Sequence, residues 1–370
     1  MKKRMAANPS LLLPVLLSGC AYTQQQNVVL VTQRLDDLFT TLYPADEPGA
    51  AVMVVRDDYT VYSKGFGLAR MDTKERVSST TFFNIASVSK QLTAVALLIL
   101  ADEGKLSLDD SVSKFFPHFK ADFYSRITLR HLLSHTSGIP DRRNRTDRDF
   151  MLYSNEQESC SFMVDLDSFL FEPGTRYDYQ NPTYQLMQLI IERATGHVFD
   201  DFMRERILSP AGMTEATYFE PDKLIPRMAH GYRQLGEDSA WHKFDYGEEA
   251  FFRTKADGGL YTSAEEFWRW DKALYANIVM SKQLRCEAHK PRIETDIPYT
   301  SYGYGWFIEQ RPDRPKKIYH TGDNGGFQIF AGRYPEKALF YLIFANRNDK
   351  NREDTVEKMD RIFEDAGWLK

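Results

Sequence analysis

A serine and a lysine lie three residues apart at the start of an apolar stretch. Ser87 and Lys90 precede residues 91–100, which are apolar on all sides and predict a buried helix that ends near Gly104. Residues at this spacing share a helical face, so the lysine amine could take the serine proton. The N–H groups of a first turn favour negative charge, and a lysine there opposes the helix dipole. This misfit favours a catalytic pair over a capping serine with a solvated lysine.

Two further polar elements follow along the chain. Tyr179 and Asn181 are separated by one residue, and His320, Thr321 and Gly322 follow a strand-like run. In β-lactamases and penicillin-binding proteins, a serine–lysine pair of this spacing is accompanied by a polar triad and a K-T-G box. The elements occur here in the same order, with histidine in place of the lysine of the third. The three together are far more specific than any one of them.

The chain resembles the serine β-lactamase and DD-peptidase superfamily, in particular its class C β-lactamase-like branch, in which the second element is Tyr-x-Asn. The resemblance extends from about Val28 to the C-terminus. Segments between the motifs also look like that branch: residues 127–140, 172–174, 211–213, 257–263 and 302–306.

The resemblance implies a role for each residue of the first two elements. Ser87 would be the acylated nucleophile, Lys90 its proton acceptor or electrostatic activator, and Tyr179 a partner base and acid. Asn181 would hold Lys90 and the substrate amide. A tyrosine or lysine with an ordinary pKa of about 10 is a poor base at neutral pH. In one cleft the two groups perturb each other, because the ammonium favours phenolate and burial disfavours the ammonium.

The third element lines the cleft in this family. Gly322 would let the substrate approach beside Thr321, and the N–H of Asp323 would join that of Ser87 in an oxyanion hole, where such donors lower the barrier by about 3 to 4 kcal/mol each. His320 stands where many β-lactamases have lysine. Since a histidine is only partly charged at neutral pH, it would hold a substrate carboxylate less firmly. The substitution favours a peptidase or esterase over efficient β-lactam hydrolysis.

Other chemistries have weaker support. His131 and His135 are spaced like the zinc ligands of H-E-x-x-H, but no glutamate lies between them to act as a base. Neither a G-x-S-x-G elbow nor a G-x-x-x-x-G-K phosphate loop is present. We therefore expect no metal and no cofactor. An inactive penicillin- or peptidoglycan-binding module is the alternative of another class, and the joint presence of Ser87, Lys90 and Tyr179 argues against it.

The composition limits which classes of protein the chain can belong to. The chain has 370 residues, of which 42% are hydrophobic and 14% aromatic, so it can bury a large core in one or two domains. Its net charge of -5 without a basic block gives no support for nucleic-acid binding. Cys160 and Cys286 could form a disulfide in an oxidising compartment or remain free, and the sequence leaves this open.

The N-terminus has the pattern of a processed leader. Basic residues 2–4 precede a short apolar core at residues 11–17, and residues 17–20 resemble a bacterial lipobox. Residues 1–20 would then be a signal peptide with its lipobox, and Cys20 would be lipidated. Ala21 favours, by family analogy, an outer-membrane anchor facing the periplasm. A soluble periplasmic or secreted protein is the alternative. No later stretch is long and apolar enough to predict a membrane span.

Periodicity predicts an α+β fold. Alternation indicates strands at residues 51–55, 60–65, 304–308, 317–320, 327–334 and 338–344. Helical spacing covers residues 30–42, 183–194, 200–208 and 352–366. Residues 27–107 and 257–370 would form an antiparallel sheet flanked by helices, and residues 108–256 an inserted all-helical subdomain. As in the family, the active site would lie in the groove between them.

The sequence therefore predicts a serine hydrolase in the cell envelope that forms an acyl-enzyme at Ser87. The expected substrate is the D-Ala-D-Ala end or another D-amino-acid amide of peptidoglycan. A small ester or a β-lactam, as in a class C-type β-lactamase, is the competing substrate. Pocket walls decide among these, and the sequence does not show their shape.

Overall fold

A computed structural model describes residues 13–220, 223–234, 240–244 and 253–370. The strands are β1 Ala50–Arg56, β2 Tyr59–Phe66, β3 Leu68–Arg70, β4 Glu75–Arg76, β5 Phe82–Asn84, β6 Thr217–Tyr218, β7 Tyr232–Gln234, β8 Trp241–Lys243, β9 Leu260–Ser263, β10 Ile293–Glu294, β11 Thr300–Tyr302, β12 Phe307–Glu309, β13 Lys317–Asn324, β14 Phe327–Tyr334 and β15 Leu339–Ala345. Within the described residues, eight of them form one antiparallel sheet in the order β10-β11-β12-β13-β14-β15-β1-β2. The first strands of the chain thus pair with the last.

The helices surround this sheet or follow one another between β5 and β10. They are α1 Leu13–Leu42, α2 Lys90–Asp102, α3 Val112–Phe115, α4 Leu129–Leu133, α5 Arg148–Tyr153, α6 Glu156–Ser159, α7 Asn181–Thr195, α8 Phe199–Met203, α9 Ala264–Tyr275, α10 Lys282–Ala288 and α11 Arg352–Asp365. A 3₁₀ turn, Ala86–Ser89, leads directly into α2, and a π turn, Arg204–Leu208, continues α8.

The two faces of the sheet bury two separate cores, as the side-chain alternation of a strand requires. In β1, Ala51, Met53 and Val55 join the core that contains α2. Ala50, Val52 and Val54 join the core that contains α1 and α11. Because α2 is buried almost throughout its length, it is held firmly against the first face. The helix that carries Lys90 is therefore part of the rigid interior.

The predicted α+β class is confirmed, and the long periodic segments have the predicted type. The strand pair β1–β2, the strands β14 and β15, and the helices α2, α7 and α11 lie where alternation and helical spacing indicated. The predicted division at residues 107/108 and 256/257 stays a prediction. Most of the regular structure described between these limits is helical, and the segment also contains β6, β7 and β8, which are too short to show alternation.

Two strand boundaries differ from the prediction because of glycines. Residues 304–306 precede β12 rather than belonging to it, since Gly305 has a φ of +84° and a Cβ there would lie 3.0 Å from the Lys90 carbonyl oxygen. β13 continues through His320 and Gly322 to Asn324, and the chain reverses at Gly325 and Gly326, both with positive φ. The third motif thus lies inside a strand.

The predicted leader is only partly described. Residues 1–12 lie outside the described residues, and so does the side chain of Cys20, although its backbone belongs to α1. In the part of the chain that the structure describes, no helix is both long enough and apolar enough to cross a bilayer.

Candidate active site

Ser87 is held by a strained turn at the N-terminus of α2. The preceding residue, Ala86, is buried and has a φ of +46°, a conformation that costs a residue with a side chain about 1 to 3 kcal/mol. Asn84 stabilises the turn, because its side-chain oxygen accepts a hydrogen bond of 2.8 Å from the Ala86 N–H. The Val88 N–H closes the turn on the Ile85 carbonyl at 3.1 Å. Strain at this place is typical of a residue whose side chain must point in one direction.

Lys90 is the centre of the polar contacts. Its side chain is fully buried, and its Nζ donates to Ser87 Oγ at 3.0 Å, to Asn181 Oδ1 at 2.9 Å and to the Asp257 carbonyl oxygen at 2.7 Å. Burial lowers the pKa of Lys90 to about 7. The negative charge of Asp257 opposes this shift, and the positive charge of Arg143 adds to it. At neutral pH a substantial fraction of the amine is therefore uncharged and has a lone pair for a proton.

Tyr179 and Asn181 reach the same point from the start of α7. Asn181 is the first residue of the helix, and Pro182 follows it in the first turn, where a missing N–H is harmless. The Tyr179 ring centre lies 5.0 Å from Lys90 Nζ. The Tyr179 hydroxyl is buried and forms no well-aligned hydrogen bond with the described residues. The Ser87 hydroxyl is nevertheless close enough to stabilise the phenolate form of Tyr179 slightly.

The pKa of Tyr179 differs from the expectation. From the sequence, the Lys90 ammonium is expected to favour phenolate. Burial instead raises the pKa of Tyr179 far above its usual value, and the Ser87 hydroxyl only partly opposes this effect. In the free protein, Tyr179 is therefore a neutral phenol and can donate a proton.

Strand β13 forms the opposite wall. A Cβ on Gly322 would lie 2.6 Å from the Ile85 carbonyl oxygen and 3.1 Å from the Ser87 nitrogen, so glycine is needed for the strand to approach the turn. Thr321 is partly buried, whereas Asp323 is exposed and pairs with Arg352 at 2.6 Å. Arg352 also donates to the Gly322 carbonyl oxygen at 3.3 Å.

His320 does not have the partial charge that the sequence argument assumed. It is 1% exposed, and its Nδ1 donates to the Thr321 carbonyl oxygen at 2.6 Å while its Nε2 accepts from the Tyr302 hydroxyl at 2.9 Å. Burial lowers the pKa of His320 to about 3, and the charge of Lys90 acts in the same direction. The side chain is neutral at physiological pH and cannot neutralise a substrate carboxylate.

The cleft between these walls has a volume of about 790 Å³. Seven of the eight predicted catalytic and substrate-binding residues line it, namely Ser87, Tyr179, Asn181, His320, Thr321, Gly322 and Asp323; the eighth, Lys90, lies buried behind Ser87. Its other ionisable lining residues are Arg176, Asp178, Glu294 and Asp296. Carboxylates therefore outnumber cations along the described walls.

Sequence reasoning missed several contributors. The Asp257 carbonyl, Arg143 and Tyr302 all act on Lys90 or His320, and all three come from loops or strands distant from the motifs in sequence. Asp257 lies in a segment that resembled the family, but nothing in its type predicted that its carbonyl would bind the amine. No periodicity or spacing signal points to such contacts.

The two histidines considered as zinc ligands have other partners. His131 Nδ1 accepts from the Thr128 N–H at 3.2 Å and His135 Nδ1 from the Gln180 N–H at 3.2 Å. Among the described residues, no group of three His, Cys, Asp or Glu side chains is placed to hold a metal ion. Cys160 is buried and Cys286 exposed, and both are free thiols.

Known proteins are similar to this chain over most of its length. Penicillin-binding protein 4* of Bacillus subtilis is 28% identical over 348 residues, which cover 90% of this chain and 75% of that protein. The chain spans 62% of the length of the Staphylococcus aureus proteins named flp, which are also 28% identical.

Solved structures share the fold. A penicillin-binding protein from Bacillus halodurans has a TM-score of 0.74 and 26% identity, and covers 85% of this chain and 95% of its own. A D-amino acid amidase from Ochrobactrum anthropi SV3 has a TM-score of 0.73 at 20% identity, over 92% of this chain and 99% of its own. The protein-family model named Beta-lactamase matches residues 35–364. With this match over most of its length, the chain belongs to the beta-lactamase family and is a serine hydrolase of that family.

Proposed function

We propose that the protein hydrolyses an amide or ester through an acyl-enzyme on Ser87. One observation carries this proposal: the buried Lys90 amine, with a pKa of about 7, lies 3.0 Å from Ser87 Oγ. When the pKa of a base is close to the working pH, a useful fraction of the base is unprotonated. The base is also still strong enough to accept the proton. A lysine that served only to stabilise the fold would not need this contact.

The acylation step follows from these positions. Ser87 Oγ loses its proton to neutral Lys90 and bonds to the substrate carbonyl carbon, whose oxygen becomes an oxyanion between the N–H groups of Ser87 and Asp323. The bond from that carbon to the leaving nitrogen or oxygen then breaks. The departing group takes a proton from the neutral phenol of Tyr179, which Lys90 can restore. Water attacks the ester in the second half, with the same groups used in reverse.

Charge in the cleft favours one class of substrate. Asp178, Glu294 and Asp296 line it together with Arg176, so three carboxylates stand against one arginine among these lining residues. His320 is neutral. A substrate whose reacting end carries a free carboxylate, as β-lactams and D-Ala-D-Ala peptides do, would meet this negative wall.

A D-amino-acid amide or ester, with an amine and no free carboxylate, suits the cleft better. The preference for a D-amino acid comes from the resemblance to DD-peptidases, and a D-amino acid amidase shares the fold. A β-lactam and a D-Ala-D-Ala peptide are the competing substrates.

Three substrates and one variant test the proposal. The protein without its leader would be compared on D-alanine amide, nitrocefin and a D-Ala-D-Ala peptide, with a p-nitrophenyl ester as a general reporter. We expect the highest kcat/KM on the amide or ester, and mass spectrometry should show the acyl group on Ser87. Ser87→Ala should abolish every activity and labelling by a fluorescent penicillin. Ester turnover by this variant would require another nucleophile. Labelling of Ser87 without turnover of any substrate would indicate a binding module.

Location in the cell envelope is a separate proposal. The lipobox-like residues 17–20 support attachment through Cys20 to a membrane. In a bacterial host, the full-length protein should fractionate with membranes and the variant Cys20→Ser should not. Equal fractionation of the two proteins would contradict the lipid anchor and leave the chemistry at Ser87 untouched.

A further inference from the structure

We infer that His135 is a positioning residue for Tyr179, an inference that rests on the proposed function. His135 lies after the end of α4 and is completely buried behind the cleft. It belongs to the histidine pair whose spacing suggested zinc, and none of the steps proposed above uses it. Its contacts converge on one residue of the site.

The residues before and after Tyr179 both donate their backbone N–H groups to His135. The Asp178 N–H donates to the His135 carbonyl oxygen at 2.9 Å, and the Gln180 N–H donates to His135 Nδ1 at 3.2 Å. The backbone before and after Tyr179 is thus attached to a single residue of the neighbouring loop. Movement of the backbone at Asp178 or at Gln180 would break one bond or the other.

The imidazole ring also supports the phenol directly. Its centre lies 4.1 Å from the centre of the Tyr179 ring, with the two planes inclined by 32°. The rings of Tyr184 and Tyr302 lie 5.0 Å from it on other sides. A ring enclosed in this way has little freedom, so it limits the directions in which the Tyr179 hydroxyl can point.

Histidine is not the residue that stability alone would select here. The backbone of His135 has a φ of +56°, a left-handed conformation that glycine adopts more readily than any residue with a side chain. Because Nδ1 accepts a hydrogen bond, the proton is on Nε2, and this nitrogen is buried without a partner among the described residues. Burial keeps the ring neutral by lowering the pKa of His135, which preserves the acceptor on Nδ1. A strained backbone and an unpaired donor are costs that a positioning role explains.

The consequence for catalysis depends on the leaving group. In the proposed mechanism Tyr179 protonates the departing group. An amide nitrogen must receive this proton, whereas p-nitrophenolate leaves well without it. A displaced phenol should therefore slow amide hydrolysis strongly and p-nitrophenyl ester hydrolysis weakly. A general loss of folded protein would lower both rates by the same factor.

The test compares two variants of His135 with a matched control. His135→Leu removes the Nδ1 acceptor, and His135→Asn keeps an acceptor near that position and tolerates the positive φ. His131→Asn is the control, since His131 makes the same type of bond to the Thr128 N–H outside the cleft. For each protein, kcat and KM would be measured on D-alanine amide and on a p-nitrophenyl ester, together with the thermal midpoint.

For His135→Leu we expect kcat/KM on the amide to fall about 100-fold and kcat/KM on the ester to fall less than about fivefold, because kcat/KM reports acylation and not the deacylation step that follows it. His135→Asn should recover most of the amide activity, and His131→Asn should change only the thermal midpoint. Equal losses on both substrates, or wild-type amide activity in His135→Leu, would overturn the inference. Absence of an acyl-enzyme in the unmodified protein would instead contradict the proposed function, so the two failures are distinguishable.

Discussion

Gly322 and Ser87 approach each other so closely that a Cβ on the glycine would lie 3.1 Å from the Ser87 nitrogen. This contact joins β13, from the C-terminal part of the sheet, to the strained turn before α2. The N–H of Ser87 is one of the two proposed oxyanion donors, and Asp323, next to Gly322, carries the other. The distance between strand and turn therefore sets the spacing of the oxyanion hole.

Gly322→Ala should separate the strand from the turn and impair catalysis more than folding. We expect kcat to fall about 10² -fold, because a misplacement of about 1 Å has effects of this size. Gly196→Ala is the control: Gly196 has a positive φ at the end of α7 and open space around it, so alanine should destabilise the protein by about 1 kcal/mol without changing kcat. Steady-state kinetics and urea unfolding of both variants check this. Normal kcat in Gly322→Ala would mean that the strand tolerates the displacement.

Activity should depend on pH through Lys90. In the proposed mechanism the neutral amine of Lys90 accepts the proton, and the pKa of this amine is lowered to about 7 in the folded protein. Below that pH the ammonium form dominates, so kcat/KM should fall about tenfold for each further pH unit and level off above pH 8. Lys90→Ala should lower kcat/KM by roughly two or more orders of magnitude. A pH–rate profile from pH 5 to 9 tests this, and an unchanged acid limb in Lys90→Ala would assign that limb to another group.

The free energy of unfolding should also depend on pH through Lys90. Folding lowers the pKa of Lys90 from its ordinary value of 10.5 to about 7. Between these pH values the unfolded chain therefore binds more protons than the folded protein does. The contribution of Lys90 to stability should therefore rise as pH increases from 7 towards 10. Urea unfolding of the wild type and of Lys90→Met would isolate this contribution, and a parallel pH dependence in the two proteins would contradict the lowered pKa.

Neutralising the cleft should change substrate preference. Asp296→Asn removes one of the carboxylates that line the cleft. Since an exposed charge contributes about 0.5 to 1 kcal/mol, kcat/KM for D-alanine amide should fall two- to fivefold, and acylation by penicillin should accelerate similarly. Both effects should diminish at high salt. Glu75→Gln, on the exposed strand β4, is the charge-matched control and should change neither rate.

A buried ionic cluster should dominate the stability of the C-terminal helix. Asp360 is fully buried, and accepts from Tyr341 Oη at 2.6 Å and from Lys317 Nζ at 3.0 Å. Asp360→Ala leaves the buried Lys317 without one of its two carboxylate partners, so we expect a loss of about 3 to 5 kcal/mol in the free energy of unfolding. Lys358→Ala breaks an exposed pair with Asp354 and should cost less than about 0.5 kcal/mol. Denaturant titrations compare them, and similar losses would show that burial does not matter here.

Periodic segments explain why much of the fold could be predicted. Strands such as β1 and β14 and helices such as α2 and α7 bury one face or all faces over many residues, and this pattern is readable in the chain. β6 and β10, with two residues each, have no period to read. The end of β13 and the start of β12 depended on glycines whose conformation is set by neighbouring backbone.

By itself the sequence predicted which residues would carry the chemistry, because Ser87, Lys90, Tyr179 and the third motif are recognisable by type, order and spacing. Only the tertiary structure decided how these groups behave. Burial made Lys90 a base with a pKa of about 7, kept His320 neutral and kept Tyr179 protonated. The Asp257 carbonyl and His135 also entered the site only through folding. A pKa or a hydrogen bond depends on solvent exposure and on partners distant in sequence, and local sequence patterns carry neither.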